Sequence, residues 1–131
     1  MKKILSLCLV TLLLPLAGVG CSRSSVLPAH DEVLVYPLPY DLTFLKVMEA
    51  VQEHSEWDLD WTDKESGVIS IRNMRYSSFA DADQRQALLI VKRLNAKETS
   101  VQFDTKSRGI VGGDEILALI RGELSRELSR R

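Results

Sequence analysis

Beyond residue 21 the chain has no cysteine: its two cysteines, Cys8 and Cys21, both fall near the start of a 131-residue sequence. The body is therefore without disulfide staples, dithiol redox chemistry or a cysteine-based zinc site. Histidine is nearly as scarce, with His30 and His54 alone. Neither belongs to a His-Glu-x-x-His metal motif, and no Gly-x-Ser-x-Gly nucleophile elbow occurs. A surplus of positive charge is missing too: 17 Lys+Arg against 18 Asp+Glu give a net charge of −1 and no reason to expect nucleic acid as a partner. There are no internal repeats and no low-complexity tracts. The residues imply no cofactor and no metal, and the chain reads as non-catalytic.

What is present begins at the N-terminus. Lys2 and Lys3 form a short positive region, and Ile4 to Gly20 is uncharged, with the apolar block Leu7 to Leu16 at its centre. That is the anatomy of a secretory signal. Gly18-Val19-Gly20 then sets small or slim side chains before Cys21, as a peptidase cleft requires of an extended chain.

Leu12 to Cys21 resembles the lipobox of bacterial lipoproteins, departing from the commonest pattern only at Gly18, where leucine is usual. The resemblance implies a diacylglyceryl thioether on Cys21, cleavage that makes Cys21 the first residue, and N-acylation. In lipoproteins of two-membrane bacteria a residue other than aspartate after the cysteine directs the protein to the outer membrane, and Ser22 fits that rule. The implied address is the periplasmic face of the outer membrane, with the membrane as a partner through acylated Cys21. Two other readings stand beside it. An ordinary secretory signal would leave Cys21 as a free thiol, and an uncleaved anchor would use the 19 uncharged residues Ile4 to Ser22, although Pro15, Gly18 and Gly20 crowd its outer half with helix breakers.

The expected division is a signal peptide over 1–20, a lipidated cysteine and tether over 21–31, and one domain over 32–131. Ser22 to His30 has no helical or strand period. Its nine residues extend to at most about 30 Å and average roughly 15–18 Å as a coil. The body is uneven in charge: Asp31 to Glu65 holds ten acids and two bases, Ser66 to Arg131 eight acids and twelve bases. Either the two halves face each other in the fold, or the arginines gather into a patch for anionic headgroups.

Within the body, Glu32 to Tyr36 predicts a strand stopped by Pro37 and Pro39. Asp41 predicts a cap for a helix to His54, with Leu42, Leu45, Met48, Val51, Phe44 and Val47 as its apolar stripe. Trp57, Leu59 and Trp61 alternate with Asp58 and Asp60, which predicts a strand with three apolar side chains on one face. The turn at 63–67 leads into Val68 to Met74, with Ile69 and Ile71 inward. A polar connection over Arg75 to Asp83 precedes Arg85 to Leu94, apolar on both faces and so a central strand. Thr99 to Thr105 follows, and Asp114 predicts the cap of a last helix to Ser129, striped by Ile116, Leu117, Ile120, Leu124 and Leu128. The order β-α-β-β-β-β-α predicts an α+β two-layer sandwich, an antiparallel sheet of four to five strands with two helices on one face. It resembles the helix-grip or TATA-binding-protein-like topology of some lipoprotein domains, a likeness of element order that carries no function.

The remaining candidates are weak. Asp58, Asp60, Asp63 and Glu65 fail calcium-loop spacing, since the sixth and twelfth positions from Asp58 hold Asp63 and Ile69. Gly109-Ile110-Val111-Gly112-Gly113 resembles a phosphate cradle but lacks its lysine, and Asp114 sits where the anion belongs. Trp57 and Trp61 are candidates for a cavity wall or for core packing. If Ala87, Leu89 and Val91 face the helices, Leu88, Ile90 and Leu94 emerge on the open face and need a cover: the 75–83 loop, the tether, or an envelope protein partner. The function expected is that of a lipid-anchored interaction or assembly module. The alternative is a binder or sensor of an apolar or lipid ligand.

Overall fold

A computed structural model describes residues 29–76 and 84–131. In chain order come β1 (Leu34–Tyr36), α1 (Tyr40–Gln52), β2 (Trp57–Asp63), β3 (Val68–Asn73), β4 (Gln86–Asn95), β5 (Glu98–Phe103), a 3-10 turn (Thr105–Ser107) and α2 (Gly113–Ser129). The strands form one antiparallel sheet in the order β1-β5-β4-β3-β2. This is the α+β sandwich the element order predicts. β4 is central, and β1 and β2, neighbours in sequence, lie at opposite edges. α1 must therefore cross the sheet to join them, and it packs against α2, β2, β4 and β5.

The crossing starts at the proline elbow. Pro37 and Pro39 cannot extend β1, and Leu38 between them is fully buried, its carbonyl accepting a hydrogen bond from the Thr99 hydroxyl at 2.9 Å. Pro39 is extended (φ −62°, ψ 149°), and its carbonyl accepts from Thr43 N at 3.0 Å and Thr43 Oγ1 at 3.1 Å. The cap thus falls at Pro39, two residues before the predicted Asp41. Asp41 falls in the first turn and pairs instead with Lys64 at 2.7 Å.

The core lies between the helices and one face of the sheet. Ile69, Ile71, Leu89 and Val101 from the strands meet Val47, Val51, Ile116, Ile120 and Leu124 from the helices, all fully buried. Leu45, predicted in the α1 stripe, is 48% exposed, and Thr43 and Ala50 are buried in its place. The reason is α2, which lies along the Lys46 side of α1 and turns the buried arc away from Leu45. Lys46 reaches Glu123 of α2 at 3.5 Å and Glu49 of its own helix at 2.5 Å, while Glu123, 4% exposed, also pairs with Arg126. A buried carboxylate needs such partners.

The charge imbalance resolves as pairing. Asp60–Arg72, Glu56–Arg75, Asp31–Arg108, Glu32–Arg121 and Glu53–Arg126 each join an acid of the first half to an arginine of the second. These five arginines therefore each have an acidic partner from the first half.

Two stability measurements check the packing and the turn chemistry. Leu89→Ala should cost about 2–5 kcal/mol in denaturant unfolding, whereas Leu45→Ala should stay within about 0.5 kcal/mol. At the β2–β3 turn, Asp63 accepts from the Ser66 hydroxyl at 2.7 Å and from the Ser66 and Glu65 amides at 3.3 and 3.0 Å. These bonds, the Ser66 hydroxyl first, hold the Asp63 carboxyl below its ordinary value of 3.8. A folded pKa below the unfolded one means that the contribution is complete above the unfolded value and is lost as pH falls through the folded one. Asp63→Asn should therefore flatten the acid side of the urea midpoint against pH below about 4.

Candidate interaction surface

A single extra residue in β2 shapes the open face of the sheet. Leu59 pairs with Ile71, but Trp61 pairs with Ser70, so Asp60 is the added residue of a β-bulge. The bulge breaks the expected period of two. Trp57 stays in the core at 4% exposure, whereas Trp61 turns to the open face at 49%. The prediction that Trp57, Leu59 and Trp61 share one face is thus corrected at Trp61.

Asp60, bulged on the same side, collects polar groups of β3 and β4. Its Oδ1 accepts from Arg72 at 3.0 Å and its Oδ2 from Gln86 at 2.7 Å, with the Ser70 hydroxyl at 3.4 Å. Asp63 is occupied by its own turn, so the two carboxylates diverge and are not joint ligands.

Register places the rest of the face. Ala87, Leu89 and Val91 are buried under the helices, so Leu88 and Ile90 emerge half-buried on the open side, with Val68 opposite Ile90 and Ser70 opposite Leu88. Leu94 is 46% exposed at the end of β4, and Val35 on β1 is 48% exposed. A groove of about 480 Å³ runs beside this strip, lined by Trp61, Ser70, Gln86, Leu88, Lys106 and Ser107. Ser107 closes its floor by accepting from Leu88 N at 2.9 Å. Lys106 and Lys92 have no ion-pair partner among the described residues. Among the described residues its walls offer apolar area from Trp61 and Leu88 with a polar rim of Ser70, Gln86, Lys106 and Ser107.

The sheet edges offer less. β1 is three residues long and ends against proline, and β2 carries the bulge and three aspartates. Both are devices that discourage edge pairing.

His30 is the residue that sequence reasoning missed. Assigned to the tether without a partner, it is docked: its N–H bonds Arg108 O at 2.8 Å, its Nε2 lies 3.2 Å from Ile110 O, and its ring packs on Phe103 at 5.9 Å. Gly113 makes room for it, since a Cβ there would stand 2.2 Å from His30 Cδ2. Gly112, at φ +78°, turns the chain into α2 and takes the cap position predicted for Asp114, which sits in the first turn. Gly112 and Gly113 thus serve a tight turn and a close approach. The cost at this corner is the Trp57 indole N–H, buried without an acceptor among the described residues.

Other predicted positions sort simply. His54 follows α1, its carbonyl accepting from Trp57 N at 3.0 Å. Cys21, residues 22–28 of the tether and residues 77–83 of the predicted covering loop lie outside the described residues. Among the described residues no helix is long and apolar enough to cross a membrane. No protein-family model matches the chain, and no curated protein matches it.

The bulge makes a spectroscopic prediction. Of the two tryptophans, Trp61 should supply most of the iodide-quenchable emission, and Trp61→Phe should leave a blue-shifted, poorly quenched Trp57 signal. Equal quenching of both single-tryptophan variants would contradict the assignment.

Proposed function

We propose that this chain is a non-catalytic, lipid-anchored envelope protein whose domain docks another envelope protein on its open sheet face, as an interaction or assembly module. The observation that carries the reading is the strip of Trp61, Leu88, Ile90 and Val68 on the side opposite both helices, with Lys92 and Lys106, which have no ion-pair partner among the described residues, at its margin. Exposed apolar strips with polar rims are characteristic of protein contacts. The anchor is the acylated Cys21 of the lipobox-like segment, and the address is the periplasmic face of the outer membrane. Two acyl chains suffice for stable attachment.

A carrier of an apolar or lipid ligand would hold its cargo between sheet and helices. There the described side chains are closely packed, Ile69, Leu89, Val47 and Ile120 all being fully buried, which favours the docking reading.

Two experiments address the two parts. Fatty-acid labelling should mark wild type and not Cys21→Ala; an unlabelled wild type sinks the anchor. Leu88→Ser with Ile90→Ser, on a domain shown to remain folded, should remove a crosslinked neighbour in envelopes, and an unchanged set of neighbours sinks the sheet-face site.

A further inference from the structure

We propose that the domain stands on the bilayer in one orientation, with the end that carries His30, the 3-10 turn and Met74 against the lipid headgroups and the turns 64–67 and 95–98 pointing away. This deepens the reading above and rests on acylation of Cys21. It follows from how His30, Asp31 and Glu32 are held and from how few residues separate them from Cys21.

The start is clasped by three successive residues. His30 is fixed to Arg108 O, Ile110 O and the Phe103 ring; Asp31 pairs with Arg108 at 2.8 Å; Glu32 grips Arg121 through both oxygens at 2.5 and 2.6 Å. These contacts join the segment to the 3-10 turn region and to α2, so the attachment point cannot drift along the domain without breaking them.

That point lies at one end of the sheet. β3 runs from Val68 to Asn73 and β4 returns from Gln86 to Asn95, with Arg72 opposite Gln86. Phe103, the 3-10 turn, Gln86, Asn73 and Met74 therefore share the His30 end, and Lys97 sits at the other. β4 has 10 residues, which at 3.3 Å each span about 33 Å. The nine steps from Cys21 to His30 reach at most about 30 Å when drawn straight. A chain that short, leaving from the clasped end, keeps that end within about 30 Å of the surface in which Cys21 is held, and puts the far hairpins up to about 33 Å further along the sheet.

Two exposed side chains mark the end turned to the bilayer. Met74 is 54% exposed there, and Lys106, exposed and without an ion-pair partner among the described residues, lines the nearby groove. The groove beside Trp61 and Leu88 then opens just above the headgroups.

The test uses the full-length lipidated protein in vesicles of phosphatidylethanolamine and phosphatidylglycerol containing a headgroup-nitroxide lipid. Met74→Cys and Lys97→Cys, each labelled with the same fluorophore, report the two ends. Quenching at position 74 should exceed that at position 97 at least about twofold, given their separation of roughly 30 Å. Arg108→Ala combined with Glu32→Gln, which opens the clasp, should narrow the ratio. Equal or reversed quenching in protein that carries fatty acid overturns the orientation and leaves the anchor standing, whereas wild type that takes up no fatty acid overturns both. A ratio unmoved by opening the clasp overturns the clasp as its cause.

Discussion

The placement of β1 and β2 at opposite edges of the sheet governs the rest of the molecule. Because consecutive strands are separated by three others, the connection between them must cross a whole face, and α1 is that connection. α2 then packs beside α1, so both helices cover the same side and the other side is left to solvent or to a partner. β4, central and apolar on both faces, is the strand on which this asymmetry falls hardest: Leu89 is fully buried under the helices, while its neighbours Leu88 and Ile90 reach the open face only half-covered. The apolar strip is a consequence of topology applied to a doubly apolar strand.

Charge works on a second level. The chain separates its acids and bases along the sequence and then folds one half against the other, pairing Asp31, Glu32, Glu53, Glu56 and Asp60 with five arginines from the second half. Surface pairs of this kind contribute little individually, at most about 1 kcal/mol each. Their larger effect is on register: Arg108 and Arg121 hold the start of the domain, Arg126 joins the two helices to each other across their outer side, and Arg72 ties β3 to the bulge in β2.

How much of this was legible in advance follows from the range of each interaction. Binary patterning read the strands and helices well, because Ile69 and Ile71 or Ile116 and Ile120 report a local period that burial then obeys. The bulge at Asp60 was illegible, since Trp57-Asp58-Leu59-Asp60-Trp61 alternates as a regular strand does and the extra residue is recognised only against Ile71 and Ser70 across the ladder. His30 escaped for the same reason: its partners lie about 80 positions away, and the one local hint was the doubled glycine Gly112-Gly113, whose second member makes the space it occupies. Asp41 and Asp114 looked like caps because aspartate caps helices often, yet Pro39 and the left-handed Gly112 begin the helices slightly earlier. Of the candidate site, Leu88 and Ile90 were visible as a conditional choice of face, and Trp61 was assigned to the wrong one. Cys21 stands outside the described residues and owes its role to the lipobox resemblance alone.

The central claim is that the open sheet face, and not the helix face, meets a protein in the envelope. Site-specific photo-crosslinking in intact cells tests it most directly, with the probe at position 90 on the open face and, for comparison, at position 45, the exposed leucine of α1. The account predicts a discrete adduct to one envelope protein from position 90 and none from position 45. No adduct from position 90, or the same adducts in equal yield from both, would contradict it.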